Sequence, residues 1–419
     1  ELAFPGFAAA PIVDPRGLVT PLHDGWSLDF WLTDADGQQL VPSRVKDDHC
    51  KQSLTKGNDL AVETTTWQDD LQLRTITEVV VEDSQPVLKV TVSATSKNGG
   101  QLAVGIRPYN PEGVQFIDTV ESLSDTAGWL VNGTTKVLTD RSADRLLTSH
   151  YDEGDVVPQI KRHGQQNRQT FVRSPGQSID EPQNLPASSS AATTVTETCD
   201  QGMATAASVF HFDGEELTLT VRVPLQDELK VQGHPQQFDS SVTWEDIHAE
   251  VATLSVPDSR IQNLYAAAVK TLVVLSVDEI VPGPYTYRRF WFRDACLMMN
   301  PLMSIGLIER CERMLQKFPE RQQRNGYFRS QDGEWDSNGQ VLWVLNRFRK
   351  FTHRPLSKPL MATLDKAVEW IDNKRVPAQL QLRHSGLLPA GFSAEHLGPN
   401  DFYYWDDFWA EAGARAAGG

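Results

Sequence analysis

The spacing of apolar residues changes once along this chain, near Pro257. Before that point apolar and polar residues alternate in short runs, as at 71–76, and after it apolar residues recur at helical spacing, first at 261–272. A period of two is typical of half-buried strands, and a period of 3.6 is typical of amphipathic helices. We therefore predict a β-sandwich domain over residues 1–250, followed by a helical domain over residues 257–419.

Turn residues such as Asp213-Gly214 separate the alternating runs of the first domain, and Thr, Val and aromatic residues fill them. Alternation, for example over residues 26–32, predicts one buried and one solvated face, as in antiparallel sheets. Many short strands joined by such turns predict a large β-sandwich. Residues 174–198 are rich in Ser, Thr, Pro and Ala, and we expect them to form a long mobile loop.

The second domain is predicted to contain helices joined by loops that carry its unusual residues. Asp258 or Ser259 can cap the first helix. Further helices are predicted at residues 295–318, 338–351, 358–374 and 407–417. Helices packed in a ring bury their apolar stripes against one another, so their loops gather at one end and the side chains converge. Residues 410–419 stop within a helical pattern, and we expect the natural protein to continue.

Composition argues against several classes of partner. The net charge is −16, with 55 acidic and 39 basic residues and no dense Lys/Arg run, so nucleic acid is not an expected partner. No apolar run of about 18 residues occurs, so no membrane span is predicted. The four cysteines are widely spaced, which indicates neither a zinc site nor a disulfide framework and favours a reducing compartment such as the cytoplasm. No metal or cofactor is predicted, and the oligomeric state is left open.

The helical domain contains clusters in which aromatic residues stand beside charged residues and amides. They comprise Trp291, Arg293 and Asp294; then Glu334, Trp335, Asp336, Asn338 and Gln340; then Glu395, His396, Tyr404, Trp405, Asp406, Asp407 and Glu411. Aromatic faces beside charged forks suit a ligand with apolar ring faces and a hydroxylated rim, which describes a sugar. A carboxyl near other carboxyls and an aromatic ring can have its pKa raised, as a general acid requires. The clusters therefore predict a carbohydrate-active enzyme.

Purely structural interpretations of these clusters also exist. Asp294 could simply cap a helix, and an acidic run such as the second cluster could be a solvated turn. His396 beside Glu395 suits hydrogen-bonded structure better than metal binding. The adjacent Asp406 and Asp407, however, cannot both be hidden in a core without partners, which favours a pocket.

With these motifs in this order, the chain resembles the clan of inverting glycosidases that includes glucoamylases, trehalases and glycogen-debranching-type glucosidases. The motifs are Trp291-x-Arg293-Asp294, Glu334-Trp335-Asp336-x-Asn338-Gly339-Gln340 and Tyr403-Tyr404-Trp405-Asp406-Asp407-Phe408-Trp409. The resemblance implies a β-supersandwich followed by an α/α toroid, here truncated to about half of an (α/α)6 barrel. It also implies hydrolysis of an α-linked glucoside or glucan, with carbohydrate as the partner.

An inverting hydrolase uses one protonated carboxyl as acid and one carboxylate as the base that activates water. The Trp-Glu-Glu block that supplies the acid in glucoamylases is absent in that form. The nearest candidates for the acid are Asp407 first, then Asp406 and then Glu411. Arg293 and Asp294 would hold the terminal sugar, and the base would lie beyond the last residue, so we expect this chain alone to be inactive. The other substrate-binding candidates are Trp291, Glu334, Trp335, Asp336, Asn338, Gln340, Glu395, His396, Tyr404 and Trp405.

Functions of other classes stay open at this point. A related sugar phosphorylase would replace the activated water by phosphate and would need a basic pocket. A polysaccharide lyase also combines a toroid with a sandwich, but it usually places the helices first and relies on Tyr and His, for which Tyr403, Tyr404 and His396 are available. A noncatalytic carbohydrate-binding protein would bind sugar without turnover.

Overall fold

The computed structural model describes residues 2–7, 10–55, 60–123, 128–161, 194–225, 241–283, 287–392 and 400–418. The chain divides into two compact units, Glu1–Glu245 and Asp246–Gly419. The first unit is built mostly from strands and the second from helices. This order agrees with the change in spacing near Pro257, although two α-helices of the described residues, Val157–Lys161 and Trp244–Glu250, precede that point.

The first unit is an antiparallel β structure. Its strands are β1 (Ile12–Val13), β2 (Val19–Thr20), β3 (Ser27–Asp34), β4 (Gln39–Leu40), β5 (Cys50–Leu54), β6 (Ala61–Gln68), β7 (Leu71–Glu82), β8 (Gln85–Thr95), β9 (Gly100–Arg107), β10 (Tyr109–Asn110), β11 (Gly113–Val114), β12 (Thr119–Ser122), β13 (Gly128–Val131), β14 (Thr135–Thr139), β15 (Arg145–Ser149), β16 (Thr196–Thr198), β17 (Thr205–Phe212) and β18 (Glu216–Pro224). Within the described residues they form a seven-stranded sheet (β1-β2-β3-β9-β17-β15, with β4 on β3), a nine-stranded sheet (β16-β12-β13-β14-β18-β8-β7-β6-β5) and the pair β10-β11. The paired strands run antiparallel.

The two large sheets face each other across a core. The indole N–H of Trp129, on β13 of one sheet, donates to Ser208 Oγ, on β17 of the other, at 2.9 Å, and both residues are buried. Strand β7 alternates between buried and more exposed positions, as a strand with one solvated face does. The facing sheets make the first unit a β-sandwich.

Strand β3 departs from the alternation expected at residues 26–32. It is buried along nearly its whole length, on both faces. The second face is covered because Trp31 packs with Val156, Val157 and Ile160, which come from the segment around the short helix α1 (Val157–Lys161). The prediction of a solvated face for this strand is therefore wrong, since a later segment covers it.

The last residues of the loop predicted at 174–198 belong to a strand. Residues 196–198 form β16, which pairs with β12 in the register Thr119 to Thr198. Just before it, the Val195 N–H donates to Ser122 Oγ at 2.8 Å. These contacts extend the nine-stranded sheet by one edge strand. Residues 174–193 lie outside the described residues.

After α1, the chain forms the helices α2 (Trp244–Glu250), α3 (Ser259–Val274), α4 (Phe292–Ser304), α5 (Ile308–Leu315), α6 (Phe318–Arg321), α7 (Ser337–Thr352), α8 (Lys358–Lys374) and α9 (Tyr404–Gly418). Asp258 caps α3 as predicted, its Oδ1 accepting from the Arg260 N–H at 2.8 Å. The prediction of a continuous helix over 295–318 is wrong, because the chain turns at Gly306. The φ of this glycine is 107°, a backbone angle that residues with a side chain rarely adopt. None of the helices in the described ranges combines the length and hydropathy needed to cross a bilayer.

Helix α7 packs against both α4 and α9. Its contact with α9 is a backbone-to-backbone approach: a Cβ on Gly339 would lie 2.0 Å from the Trp409 carbonyl oxygen, and one on Gly413 would lie 2.4 Å from the Gly339 carbonyl oxygen. Only glycine fits at such a crossing. The second unit therefore fixes α7 and α9 relative to each other through their main chains.

Candidate active site

The N-terminal ends of α4, α7 and α9 meet and bring the three sequence clusters together. Arg293 stands in the first turn of α4, Asp336 at the cap of α7 and Trp405 in the first turn of α9. The Trp405 indole N–H donates to Asp336 Oδ2 at 2.8 Å, and Arg293 Nη1 donates to the same oxygen at 3.4 Å. Side chains far apart in sequence thus surround one carboxylate.

Asp336 is held by a third donor, the Gln340 side-chain amide, whose Nε2 lies 2.9 Å from Asp336 Oδ2. This pair is one turn apart on α7, and Gln340 is fully buried. The side chain of Gln340 thus orients Asp336, and its contact with substrate stays a prediction. Three donors on one oxygen fix the direction of the carboxylate.

Arg293 links a second carboxylate to this group. Its Nη2 lies 3.7 Å from Glu334 Oε1, and Glu334 is almost fully buried. The Tyr327 hydroxyl donates to the Glu334 carbonyl oxygen at 2.5 Å, which anchors the loop that carries Glu334. Asp294 follows Arg293 in the first turn of α4 and is half-buried. Arg293 thus faces Glu334 and Asp336 at once.

The surroundings of Asp406 strongly perturb its acidity. Its side chain is buried, with 5% of the residue exposed. Burial, together with the nearby charges of Asp336, Asp407 and Glu334, raises the pKa of Asp406 to about 8, and the backbone N–H of Trp335 opposes the shift. At neutral pH this carboxyl therefore holds a proton.

Asp407 and Glu411 have different surroundings, because positions along a helix point in different directions. Asp407 Oδ1 accepts from the Leu388 N–H at 2.9 Å. Burial raises the pKa of Asp407, while that N–H and the charge of Arg375 oppose the shift. Glu411 is exposed and pairs with Arg415 one turn along α9, at 2.6 Å. Of these three acids, the structure places Asp406 beside Asp336.

Asn338 has a structural role at the start of α7. Its Nδ2 donates to the carbonyl oxygens of Gly326 and Ala367 at 3.0 and 3.1 Å, and its Oδ1 accepts from the Phe328 N–H at 2.9 Å. The side chain is fully buried. These bonds fasten α7 to the preceding loop and to α8, and that Asn338 also binds sugar stays a prediction.

Two of the expected aromatic platforms are covered by cations. The Arg289 guanidinium lies 3.8 Å from the centre of the Trp291 ring, and the Lys374 ammonium lies 3.9 Å from the Trp335 ring. Trp335 is further fixed by donation of its indole N–H to the Pro389 carbonyl oxygen at 3.1 Å. Stacking of a sugar on either ring would require its cation to move.

Trp405 and Tyr404 present open aromatic surface. The two residues are 47% and 66% exposed. The Trp405 ring is also oriented, because its indole N–H is bound to Asp336. An exposed ring whose edge is fixed can stack on an apolar sugar face without further ordering. Trp405 is therefore the best-placed platform in the described site.

Glu395 and His396 lie outside the described residues. Among the residues that are described, no group of three or more His, Cys, Asp and Glu side chains is arranged to hold a metal ion.

The sequence interpretation missed Tyr327 and Ser330, which position the site from the loop before α7. The Tyr327 ring stacks on Trp370 at 4.3 Å, and burial raises the pKa of its hydroxyl, which bonds to backbone carbonyls. Ser330 Oγ accepts from the Phe292 N–H at 2.9 Å, at the start of α4. Neither residue belongs to a motif. The only sequence signal that could have indicated them is the prediction that the loops between helices gather at one end.

A β-sandwich followed by helices whose first turns gather acids and aromatic rings is the architecture expected for the glucoamylase-like clan. No protein-family model matches the sequence, and no curated protein matches it. Solved structures do match: a bacterial glucoamylase complexed with acarbose has a TM-score of 0.56 at 10% identity, over 99% of this chain and 66% of that one. A family GH92 alpha-mannosidase from Bacteroides thetaiotaomicron has a TM-score of 0.41 at 7% identity, over 97% and 68% of the two chains.

The likeness to the glucoamylase confirms the predicted fold, namely a sheet-rich N-terminal region followed by glucoamylase-like helices. This chain spans about two thirds of the length of that glucoamylase, with 66% covered. That the helical unit is half of an (α/α)6 barrel stays a prediction.

Proposed function

We propose that this chain carries the acid half of a glycoside hydrolase that cleaves an α-linked glucoside or glucan with inversion, with Asp406 as the general acid. The observation that carries the proposal is the buried Asp406 carboxyl, whose pKa is raised to about 8 beside Asp336. A general acid must hold its proton at working pH and release it to the leaving oxygen. Asp406 meets the first requirement.

The surroundings of the three acids favour Asp406 over Asp407 and Glu411 as the general acid. The Asp407 carboxylate accepts the Leu388 N–H and so closes the loop that precedes α9. Glu411 is exposed and ion-paired to Arg415, where water screens its charge. Asp406 alone of the three shares its surroundings with Asp336 and Glu334, which keep it protonated.

The remaining residues would bind and orient the sugar. Trp405 offers an exposed ring beside Asp336, and Tyr404 extends that aromatic surface. Asp336 would accept from sugar hydroxyls through Oδ1, while Arg293 and Gln340 hold its other oxygen in place. We keep Asp294, Glu334, Glu395 and His396 as further candidates for contact with the sugar.

The base would come from outside this chain. In an inverting enzyme the two carboxyl groups lie about 6.5–9.5 Å apart on opposite sides of the sugar ring. Glu334, Asp336 and Asp406 form one cluster near the first turns of α7 and α9, and we assign the base to none of them. The glucoamylase that the fold resembles has a further third of its length not matched by this chain, and we assign the base to an equivalent region. The substrate class follows from that likeness and from its acarbose complex.

The test is product analysis of the full-length protein on a panel of α-linked glucosides, with the anomer of the released sugar followed by NMR. We expect the β-anomer to appear first. Asp406→Asn should reduce kcat by about 10³-fold, within the range typical for loss of an acid. Asp407→Asn is the matched control, because its amide oxygen can still accept from Leu388, and it should keep kcat within about tenfold. Normal turnover by Asp406→Asn would remove the assignment, and release of the α-anomer would exclude inversion.

A further inference from the structure

The β-sandwich unit contains a cavity that shares no residue with the candidate active site. Its volume is about 200 Å³. It is lined by Pro21, Leu22, His23, Asp24, Gly25, Trp26, Phe116, Asn132, Thr134 and Thr135. Pockets that hold drug-sized ligands measure roughly 300–1,000 Å³. The space therefore suits a single small ring and is too small for an extended ligand to enter fully.

One wall of the cavity is an exposed aromatic ring on a rigid support. Phe116 is 67% exposed, and its ring lies directly against Gly202, where a Cβ would come within 2.5 Å of the ring carbon Cδ1. The backbone on both sides is fixed: Asn132 Nδ2 donates to the Phe116 carbonyl oxygen at 3.1 Å, and the Ile117 N–H donates to the Gly202 carbonyl oxygen at 2.7 Å. Phe116 thus has one supported face and one open face.

The opposite rim is polar and is also held in place. His23 Nδ1 and Asp24 Oδ2 lie 3.2 Å apart, and the Asp24 side chain is 67% exposed. A tight turn presents them, with the Gly25 N–H donating to the Leu22 carbonyl oxygen at 3.1 Å and Asp24 in the left-handed region at φ 52°. Asp tolerates that conformation better than most residues. Donor and acceptor groups thus stand around the space that the Phe116 ring adjoins.

We propose that this cavity is a second carbohydrate site that binds one pyranose ring of a glucan. A pyranose has an apolar face that can stack on Phe116 and equatorial hydroxyls that can bond to His23, Asp24 and Thr134. Because Phe116 and the turn are already fixed, little ordering entropy is lost on binding. The choice of a glucan rests on the proposed function, whereas the chemistry of the cavity itself points only to a neutral sugar ring.

The test measures how far native gels containing soluble starch retard the protein. The parent and its variants all carry Trp405→Ala, which weakens starch binding at the candidate active site. We expect Phe116→Ala to weaken starch binding at least fivefold and Phe116→Trp to retain it, because the stacking surface is kept. Phe116→Leu should behave like Ala, since it keeps apolar volume without a flat ring. Tyr151→Ala is the control: this residue is 56% exposed in the same unit and lines no part of the cavity.

Equal retardation of the parent and all three Phe116 variants would overturn the proposal, as would an equal loss in Tyr151→Ala. Thermal melting of each variant identifies any loss that comes from misfolding, and Phe116→Leu, which also removes the flat ring, keeps the test decisive if Phe116→Ala unfolds. Phe116-dependent retention without any hydrolysis by the full-length protein would leave this site standing and remove the proposed function. Hydrolysis by the full-length protein without Phe116-dependent retention would remove this second site and leave the proposed function standing.

Discussion

Each unit of this protein has a partly buried arginine facing two carboxylates, yet the two clusters differ in their balance of charge. In the β-sandwich, Arg107 pairs with Asp29 at 3.1 Å and with Asp155, and its guanidinium lies over the rings of Trp31 and Tyr109. In the helical unit, Arg293 faces Glu334 and Asp336, but a third buried acid, Asp406, stands beside them. Among the residues that the structure describes, the first cluster thus has two acids around one arginine, and the second has three.

This difference separates a cluster that supports structure from one that can do chemistry. Burial raises the pKa of Asp29, but the charge of Arg107 is the next largest influence and opposes the shift. For Asp406 the influences that follow burial are other carboxylates, so the pKa reaches about 8. A buried cluster with more acids than cations keeps a proton at neutral pH, which is the state a general acid needs.

Removing the cation of the cluster formed by Arg107, Asp29 and Asp155, here called the balanced cluster, should give the largest effect on stability. Arg107→Met would leave Asp29 buried without its cation, and we expect the free energy of unfolding to fall by about 3 kcal/mol at pH 7. Urea denaturation followed by circular dichroism measures the change. Asp155→Asn is the milder control, because that side chain is a third exposed and Arg107 keeps Asp29. A loss below about 1 kcal/mol for Arg107→Met would show that the cluster contributes little to the fold.

The cluster formed by Arg293, Glu334, Asp336 and Asp406, here called the unbalanced cluster, should make the stability of the protein depend on pH. The folded-state pKa of Asp406, about 8, lies above the ordinary value of 3.8, so between these values the folded protein holds a proton that the unfolded chain has lost. Stability is therefore lost as pH rises through this window. Asp406→Asn removes the effect and should raise the free energy of unfolding by on the order of 2 kcal/mol at pH 8 and hardly at all at pH 4.

Urea unfolding at the two pH values tests this expectation, and Asp29→Asn is the matched comparison. Burial also raises the pKa of Asp29, but the charge of Arg107 opposes the rise, so Asp29→Asn should stabilise the protein at pH 8 less than Asp406→Asn does. An equal gain in both variants would mean that burial alone, and not the excess of acids, sets the behaviour of Asp406.

The smallest effect is expected at Glu411, the acid of α9 that faces water. Glu411→Gln removes an exposed pair with Arg415 one helical turn away, and such pairs contribute about 0.3–0.5 kcal/mol. Stability should fall by no more than that amount, and the decrease should vanish in 1 M salt. A larger or salt-resistant loss would place Glu411 in the buried network after all.

The coarse organisation of this chain is readable from its sequence because it depends on periodicity. Helix α8 has the predicted bounds, since Pro359 fits the first turn and apolar residues recur at regular spacing after it. The break at Gly306 is less readable, because the surrounding residues are apolar and would suit a continuous helix. The covered face of β3 depends on a segment more than a hundred residues later, which no local pattern contains.

The candidate site was predictable as a set of clusters but not in its detail. Asp406 and Asp407 are adjacent, and they point in directions about 100° apart on a helix. The helix starts at Tyr404 and not at Asp407 as predicted, and which carboxyl lies beside Asp336 depends on how this helix packs against α7. The backbone partners of the Asn338 amide, in a preceding loop and in α8, are visible only in three dimensions.

The glycine contact between α7 and α9 has a consequence for protein engineering. Because the main chains of Gly339 and Gly413 touch, the separation between the helix ends that carry Asp336 and Asp406 does not depend on side-chain rotamers. Loops around these ends could be randomised to change substrate preference while the acid stays where it is. Larger residues at either glycine would instead displace the whole reactive end, so both positions should be held constant in any library.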